Sequence, residues 1–119
     1  MVEVTTEATQ GLISESILYI LIMNTEFEWD PRKAALNKTK HGIAFDQAIT
    51  AFDDLDAIEL YDAAHSQNEE RYRLIGLSDI GILLVVYTVR HAEHVHRIIS
   101  ARKATRYERK DYDDQQGKN

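Results

Sequence analysis

Ile82-Leu83-Leu84-Val85-Val86-Tyr87-Thr88-Val89 is apolar along almost its whole length and rich in β-branched residues. A strand with one wet face alternates apolar and polar residues; a run without that alternation is covered on both faces. This segment is therefore expected to be the central strand of a sheet, and the rest of the chain is read around it.

Immediately upstream, Ser78-Asp79-Ile80-Gly81 is turn chemistry, and Arg71-Tyr72-Arg73-Leu74-Ile75-Gly76-Leu77 reads as a second strand. Before a polar loop from Asp62 to Glu69 lies a short strand, Ala57-Ile58-Glu59-Leu60-Tyr61. Downstream, Arg90 to Glu93 is a short connection to a fourth strand, His94-Val95-His96-Arg97-Ile98-Ile99-Ser100-Ala101. Consecutive strands joined by short connections imply an antiparallel meander.

Helices flank these strands. Asp30 is a good N-cap and Pro31 sits where a helix needs no N–H, so a helix opens there and stops at His41-Gly42. Phe45, Ile49 and Phe52 share one face of a second helix over Phe45 to Phe52. Thr105 and Glu108 form a capping box for a last helix, expected to end near Tyr112 before Asp113 to Gly117 frays. The expected fold is α+β: two N-terminal helices, a four-stranded antiparallel meander covered on one face, and a C-terminal helix.

The chain has 119 residues, 44% of them hydrophobic and 29% charged, which suits one domain with a modest core. It has no cysteine, so there is no disulfide framework and no Cys-based zinc site; this fits a cytoplasmic setting. The first 22 residues carry Glu3, Glu7 and Glu15 but no base, and the apolar run Ile17 to Met23 is far shorter than a membrane span. Residues 1–24 are expected to be an extension, with Met23 an alternative start, followed by a domain over 25–114 and a tail over 115–119.

The formal net charge is −6, yet between Arg90 and Lys110 seven Lys or Arg residues face two acids. A cationic surface on an acidic protein suits local contact with phosphate, not coating of nucleic acid by the whole surface.

The motifs Phe27-Glu28-Trp29-Asp30-Pro31, Lys33, Asn37, Lys40-His41-Gly42, Phe45, Ala48 and Phe52-Asp53-Asp54 follow one another in order. They continue with Glu69-Glu70-Arg71, Ile75-Gly76, Arg97-Ile98-Ile99-Ser100-Ala101-Arg102, Ala104, Glu108-Arg109 and Tyr112. In order and spacing, over residues 27 to 112, they resemble the BrnT family, the toxin halves of bacterial type II toxin–antitoxin pairs. The resemblance implies a fold like that of RelE-type ribonucleases and a metal-independent endoribonuclease activity that arrests translation. It implies no cofactor. The implied partner is a ribbon-helix-helix antitoxin through which the complex binds operator DNA. The extension before Phe27 has no counterpart in the family pattern, and Ala44 stands where the family often has a Ser-type cap.

Metal-independent RNA cleavage needs a base for the 2′-OH, cations for the charge on phosphorus and an acid for the leaving oxygen. The candidates are Glu70 or His41 for proton transfer and Arg71, Arg97 and Arg102 for charge, with Lys40, Arg73, Thr88, Lys103 and Arg106 as further RNA contacts. Strand alternation sets Arg71 and Arg73 opposite Glu70 and Tyr72, Arg97 with Val95 and Ile99, and Ser100 and Arg102 with His94 and His96. A phosphate site exists if Arg71, Thr88 and Arg97 face one cleft. Each candidate also has a plainer role. Lys40-His41 would be a cationic helix end, Arg102 a salt-bridge partner, Lys103, Arg106, Arg109 and Lys110 a solvated helix face, and Trp29 a core residue. His91, His94 and His96 include a pair suited to zinc, but three histidines in a hairpin need no metal. The rival functions are an inactive toxin-like module that only binds its antitoxin, and a metal-dependent nuclease built on those histidines.

Overall fold

The computed structural model describes residues 25–90 and 94–117. The proposed start at Met23 and His91 of the histidine hairpin lie outside them. Strand β1 (Glu26–Glu28) leads through Trp29-Asp30 into helix α1 (Pro31–His41). The single turn α2 (Phe45–Ala48) tightens into a 3₁₀ segment, Ile49–Asp53. Strand β2 (Ile58–Tyr61) and a short 3₁₀ turn (Ala63–His65) precede β3 (Arg71–Ser78), β4 (Gly81–Arg90), β5 (Val95–Lys103) and helix α3 (Arg106–Gln116).

The five strands lie in the order β1-β5-β4-β3-β2. The meander β2 to β5 is antiparallel, as expected, and β4 is central. The sheet differs from the expected four strands because β1 adds alongside β5, in parallel. Three residues carry no pairing signal of their own; β1 exists because β5 offers it an edge. Expected boundaries also move: β3 extends to Ser78, β4 spans Gly81–Arg90 and β5 runs on to Lys103.

Local chemistry explains the helix ends. Asp30 Oδ1 accepts from Arg32 N at 2.8 Å, and Gly42 closes α1 at φ 73°, a conformation that favours glycine. The second helix is shorter than the expected Phe45–Phe52. Ala44 has no side-chain acceptor, so only half of a capping box forms, with Gln47 Oε1 accepting from Ala44 N at 3.0 Å. Thr50 Oγ1 then donates to Gln47 O at 2.7 Å, a three-residue reach that matches the 3₁₀ pitch. The capping box of Thr105 and Glu108 forms in full. Helix α3 continues past the expected end near Tyr112, because Lys110 pairs with Asp114 at 2.9 Å and Gln116 Nε2 donates to Asp56 O at 3.2 Å.

One face of the sheet buries Leu74, Leu83, Val85, Tyr87, Ile98 and Ala101 beneath Ile43, Phe45, Ala48 and Ala51. Trp29 packs edge-on to Phe45, with ring centroids 5.8 Å apart, in the core role expected for it. Asn37, buried in α1, clamps that layer to β5. Its Nδ2 donates to Ile43 O and Ala101 O, and its Oδ1 accepts from Ala101 N. At Gly76 a Cβ would stand 2.9 Å from Ala51 O, so the close approach of the 3₁₀ segment needs glycine. Helices were expected on one face only, but α3 covers part of the other, with Tyr112 against Ile75 and Leu84. Helix α3 reaches only the Ile75 and Leu84 end of that second face; further along it Thr88 is buried, at 1% exposure. No helix among the described residues is long and apolar enough to cross a membrane.

Candidate active site

That second face carries a row of chemistry-bearing residues across the sheet. Glu28 on β1 pairs with Arg97 on β5, Arg97 with Thr88 on β4, and Thr88 with Arg71 on β3. Neighbouring strands lie roughly 4.8 Å apart, so the Cα atoms of Arg71 and Arg97 stand about 10 Å apart with Thr88 between them. Both side chains rise on the same side of the sheet as Thr88. Arg73, two residues from Arg71 on β3, shares the face. Arg71, Thr88 and Arg97 thus share one face of the sheet.

Acids hold this cationic row in place. Glu28 Oε2 accepts from Arg97 Nε at 2.9 Å and lies 4.0 Å from Arg90 Nε. Arg90 Nη2 also donates to Glu69 Oε2 at 2.9 Å. The bond from Glu28 raises the Arg97 guanidinium above its ordinary value, so that residue is charged at any working pH. All of these groups are well exposed, so the pairs orient side chains more than they stabilise the fold. Among the described residues, three buried polar atoms on this face have no hydrogen-bond partner: Thr88 Oγ1, Arg71 Nε and Arg73 Nε. A buried group without a partner costs about 1–3 kcal/mol. The row therefore has hydrogen-bonding capacity that the described residues do not use.

The loop after β2 closes one end of the row. Asp62 N donates to Arg71 O at 2.8 Å, one step beyond the last β2–β3 pair of Tyr61 and Tyr72, so Asp62 continues the row past Arg71. Ser66 Oγ accepts from Arg71 N at 2.9 Å and donates to Asp62 O at 2.6 Å, which fixes the start of β3. Ala64, His65, Gln67, Asn68, Glu69 and Arg71 line a pocket of about 300 Å³ at this end.

Arg102 does not join the cluster. Alternation placed it opposite Arg97, but a bulge overturns that: Tyr87 pairs with Ile98 and Val86 with Ser100, leaving Ile99 as the extra residue. Ser100 and Arg102 therefore face the same side as Arg97. Arg102 nevertheless stands five residues further along β5, roughly 16 Å away, and is bound two-pronged to Glu108 at 2.8 and 3.0 Å. That pair holds the Glu108 carboxyl below its ordinary range and ties β5 to α3, the plainer of the two roles weighed for Arg102.

The other candidates are dispersed. Lys40 and His41 end α1, in the layer that covers the opposite face of the sheet. Glu70 lines a separate pocket on that opposite face with Glu59, Tyr72, Val89 and His96. Lys103 Nζ bonds Ile80 O at the far end of the sheet, and Arg106 lies over the Tyr107 ring. His94 is exposed in a turn, whereas His96 stacks on Tyr87 with centroids 5.0 Å apart. No group of three His, Asp or Glu side chains among the described residues could hold a metal ion.

Sequence reasoning missed Glu28, Arg90 and Glu69 as members of the site. Glu28 stood in the quoted Phe-Glu-Trp-Asp-Pro motif, but its place beside Arg97 follows only from the unforeseen pairing of β1. Comparison with curated proteins gives no match. Residues 29–108, about two thirds of the chain, match the family described as the ribonuclease toxin BrnT of type II toxin–antitoxin systems. The matched stretch holds Arg71, Thr88, Arg90 and Arg97, together with the clamp residue Asn37. The chain belongs to this BrnT family of ribonuclease toxins.

Proposed function

We propose that the chain is a metal-independent endoribonuclease that arrests translation by cleaving RNA, with the scissile phosphate held between Arg71 and Arg97, on the strands either side of the buried Thr88. The observation that carries this reading is the cross-strand row, with its unused hydrogen-bonding capacity on the second face of the sheet. The nucleophile belongs to the substrate: the 2′-OH attacks the adjacent phosphorus. What the protein must supply is charge stabilisation for the phosphorane-like transition state, and guanidinium groups do this through paired N–H donors. Arg71 and Arg97 supply charge from either side, Arg73 and Arg90 extend the positive field along their strands, and Glu28 fixes the Arg97 side chain through its Nε.

The family also supports a neutralising antitoxin as partner, and we propose one of ribbon-helix-helix type that carries the complex to operator DNA in the cytoplasm.

Purified protein incubated in EDTA with an RNA oligonucleotide, and with the same oligonucleotide carrying 2′-deoxy sugars, tests the activity. The expected result is cleavage of the RNA to fragments ending in 2′,3′-cyclic phosphate, with the deoxy strand untouched. Loss of a preorganised donor to developing charge costs about 10²–10³-fold in rate, so Arg71→Ala and Arg97→Ala should each fall by that much while remaining folded. RNA binding without cleavage would overturn the enzymatic reading in favour of a module that only binds.

A further inference from the structure

We infer that His65, oriented by Asp62, is the general base that takes the 2′-OH proton in this reaction. The inference rests on the ribonuclease reading and names a group that the sequence reading passed over as part of a polar loop.

His65 Nδ1 lies 3.0 and 3.1 Å from the two carboxylate oxygens of Asp62. A carboxylate only accepts, so in the neutral ring the proton sits on Nδ1 and the lone pair on Nε2. This is the division of labour of a histidine base with an acidic orienter: one nitrogen is held and the other faces the substrate. The dyad stands at the Arg71 end of the row. Asp62 continues the row Glu28–Arg97–Thr88–Arg71, and His65 lines the same pocket as Arg71. Ser66 ties the turn to the first residue of β3, so Arg71 and the dyad are positioned together.

Among the described residues, the other charged groups facing the dyad are Arg71, Arg73 and Glu69. The hydrogen bond from His65, with a smaller contribution from the nearby cation Arg73, holds the Asp62 carboxyl below its ordinary range. Asp62 is therefore ionised wherever the base must work. Glu69, at the pocket wall, is engaged with Arg90. Glu70 and His41, the bases expected from the sequence, lie on or above the opposite face.

The step balances within the substrate. The 2′ oxygen forms its bond to phosphorus as its proton passes to His65 Nε2. The P–O5′ bond breaks, the 5′ oxygen leaves with the bonding pair and takes a proton from water, and the proton on Nε2 returns to solvent. The products are a 2′,3′-cyclic phosphate and a 5′-OH.

The test is the pH–rate profile of RNA cleavage in EDTA for the wild type, His65→Ala and Asp62→Asn. His65 is two-thirds exposed, so its replacement leaves the core intact, which circular dichroism checks. For the wild type, kcat/KM should rise with pH along a limb set by one ionising group, because the base works only when neutral. His65→Ala should lose that limb and fall by about 10²-fold or more, with imidazole in the buffer restoring part of the rate. Asp62→Asn should fall as well, since an amide can bond the other tautomer. An active wild type with an equally active His65→Ala of unchanged profile would overturn the assignment and leave the ribonuclease reading standing. A wild type that cleaves no RNA would overturn both.

Discussion

Replacing Asn37 by alanine is predicted to be among the most damaging single polar substitutions in this fold. Asn37 is buried, and its amide makes three hydrogen bonds: to Ile43 O at 3.0 Å, to Ala101 O at 2.9 Å and from Ala101 N at 3.0 Å. Their backbone partners belong to residues that are themselves almost inaccessible, Ile43 at 2% and Ala101 at 0% exposure. Truncation leaves two carbonyls and one N–H without partners in a space that water does not reach. With a cost of about 1–3 kcal/mol for each orphaned group and some relaxation, the loss should be about 3–5 kcal/mol. That is a large share of the roughly 5–15 kcal/mol that holds a typical domain together. Urea unfolding followed by circular dichroism should show the midpoint fall by about 2–3 M. Asn37→Asp sharpens the test. It keeps the acceptor for Ala101 N but sets a carboxylate against two carbonyl oxygens, so it should be as damaging at neutral pH and partly recover when acid protonates the carboxyl. An Asn37→Ala variant within 1 kcal/mol of the wild type would refute the reasoning that this side chain clamps α1 to the sheet.

Arg102→Ala should cost about 1 kcal/mol in the same assay, because its pair with Glu108 is two-pronged but partly exposed to solvent. Folding lowers the Glu108 carboxyl from its ordinary value of 4.5, so the stabilisation is complete above that pH and drains away as pH falls through the folded value. Arg102→Ala should therefore show a shallower loss of stability in acid than the wild type. Tyr112 Oη donates to Asp54 Oδ2 at 2.6 Å, and burial together with that bond pushes the phenol up from 10.0 to about 12. Its contribution is present below about pH 10 and is lost as pH rises toward 12, so Tyr112→Phe should remove that alkaline limb and cost about 1 kcal/mol at neutral pH.

Features encoded within a few residues were legible in the sequence. Asp30-Pro31, Gly42 and the Thr105–Glu108 box each signal a helix end by local geometry, and each end formed there. The central place of β4 was legible because its apolar run has no wet face. What escaped depends on contacts between distant residues. Strand β1 is three residues long and is defined by β5, some seventy residues away. The bulge at Ile99 is set by how β5 meets β4, and it reverses the side on which Arg102 falls. The candidate site was half legible. Arg71, Thr88 and Arg97 were named as a possible cleft, and the register brings them into one row. The acids that orient them, and the pairing of His65 with Asp62, were not readable: a loop of polar residues gives no period from which to infer a face. Glu70 and His41 looked catalytic by residue type alone, and their elements turn them elsewhere.

The most direct test of the central claim is to watch the arginines themselves. In protein labelled with ¹⁵N at arginine, the Nε–Hε resonances of Arg71 and Arg97 can be followed while a 2′-O-methyl RNA oligonucleotide, which binds but cannot be cleaved, is titrated in. The account predicts that both resonances move together along one saturation curve, that Thr88→Val weakens that curve, and that Arg102 stays still in its pair with Glu108. Movement confined to Arg102, Arg106 and Arg109, with Arg71 and Arg97 unchanged at saturation, would contradict it.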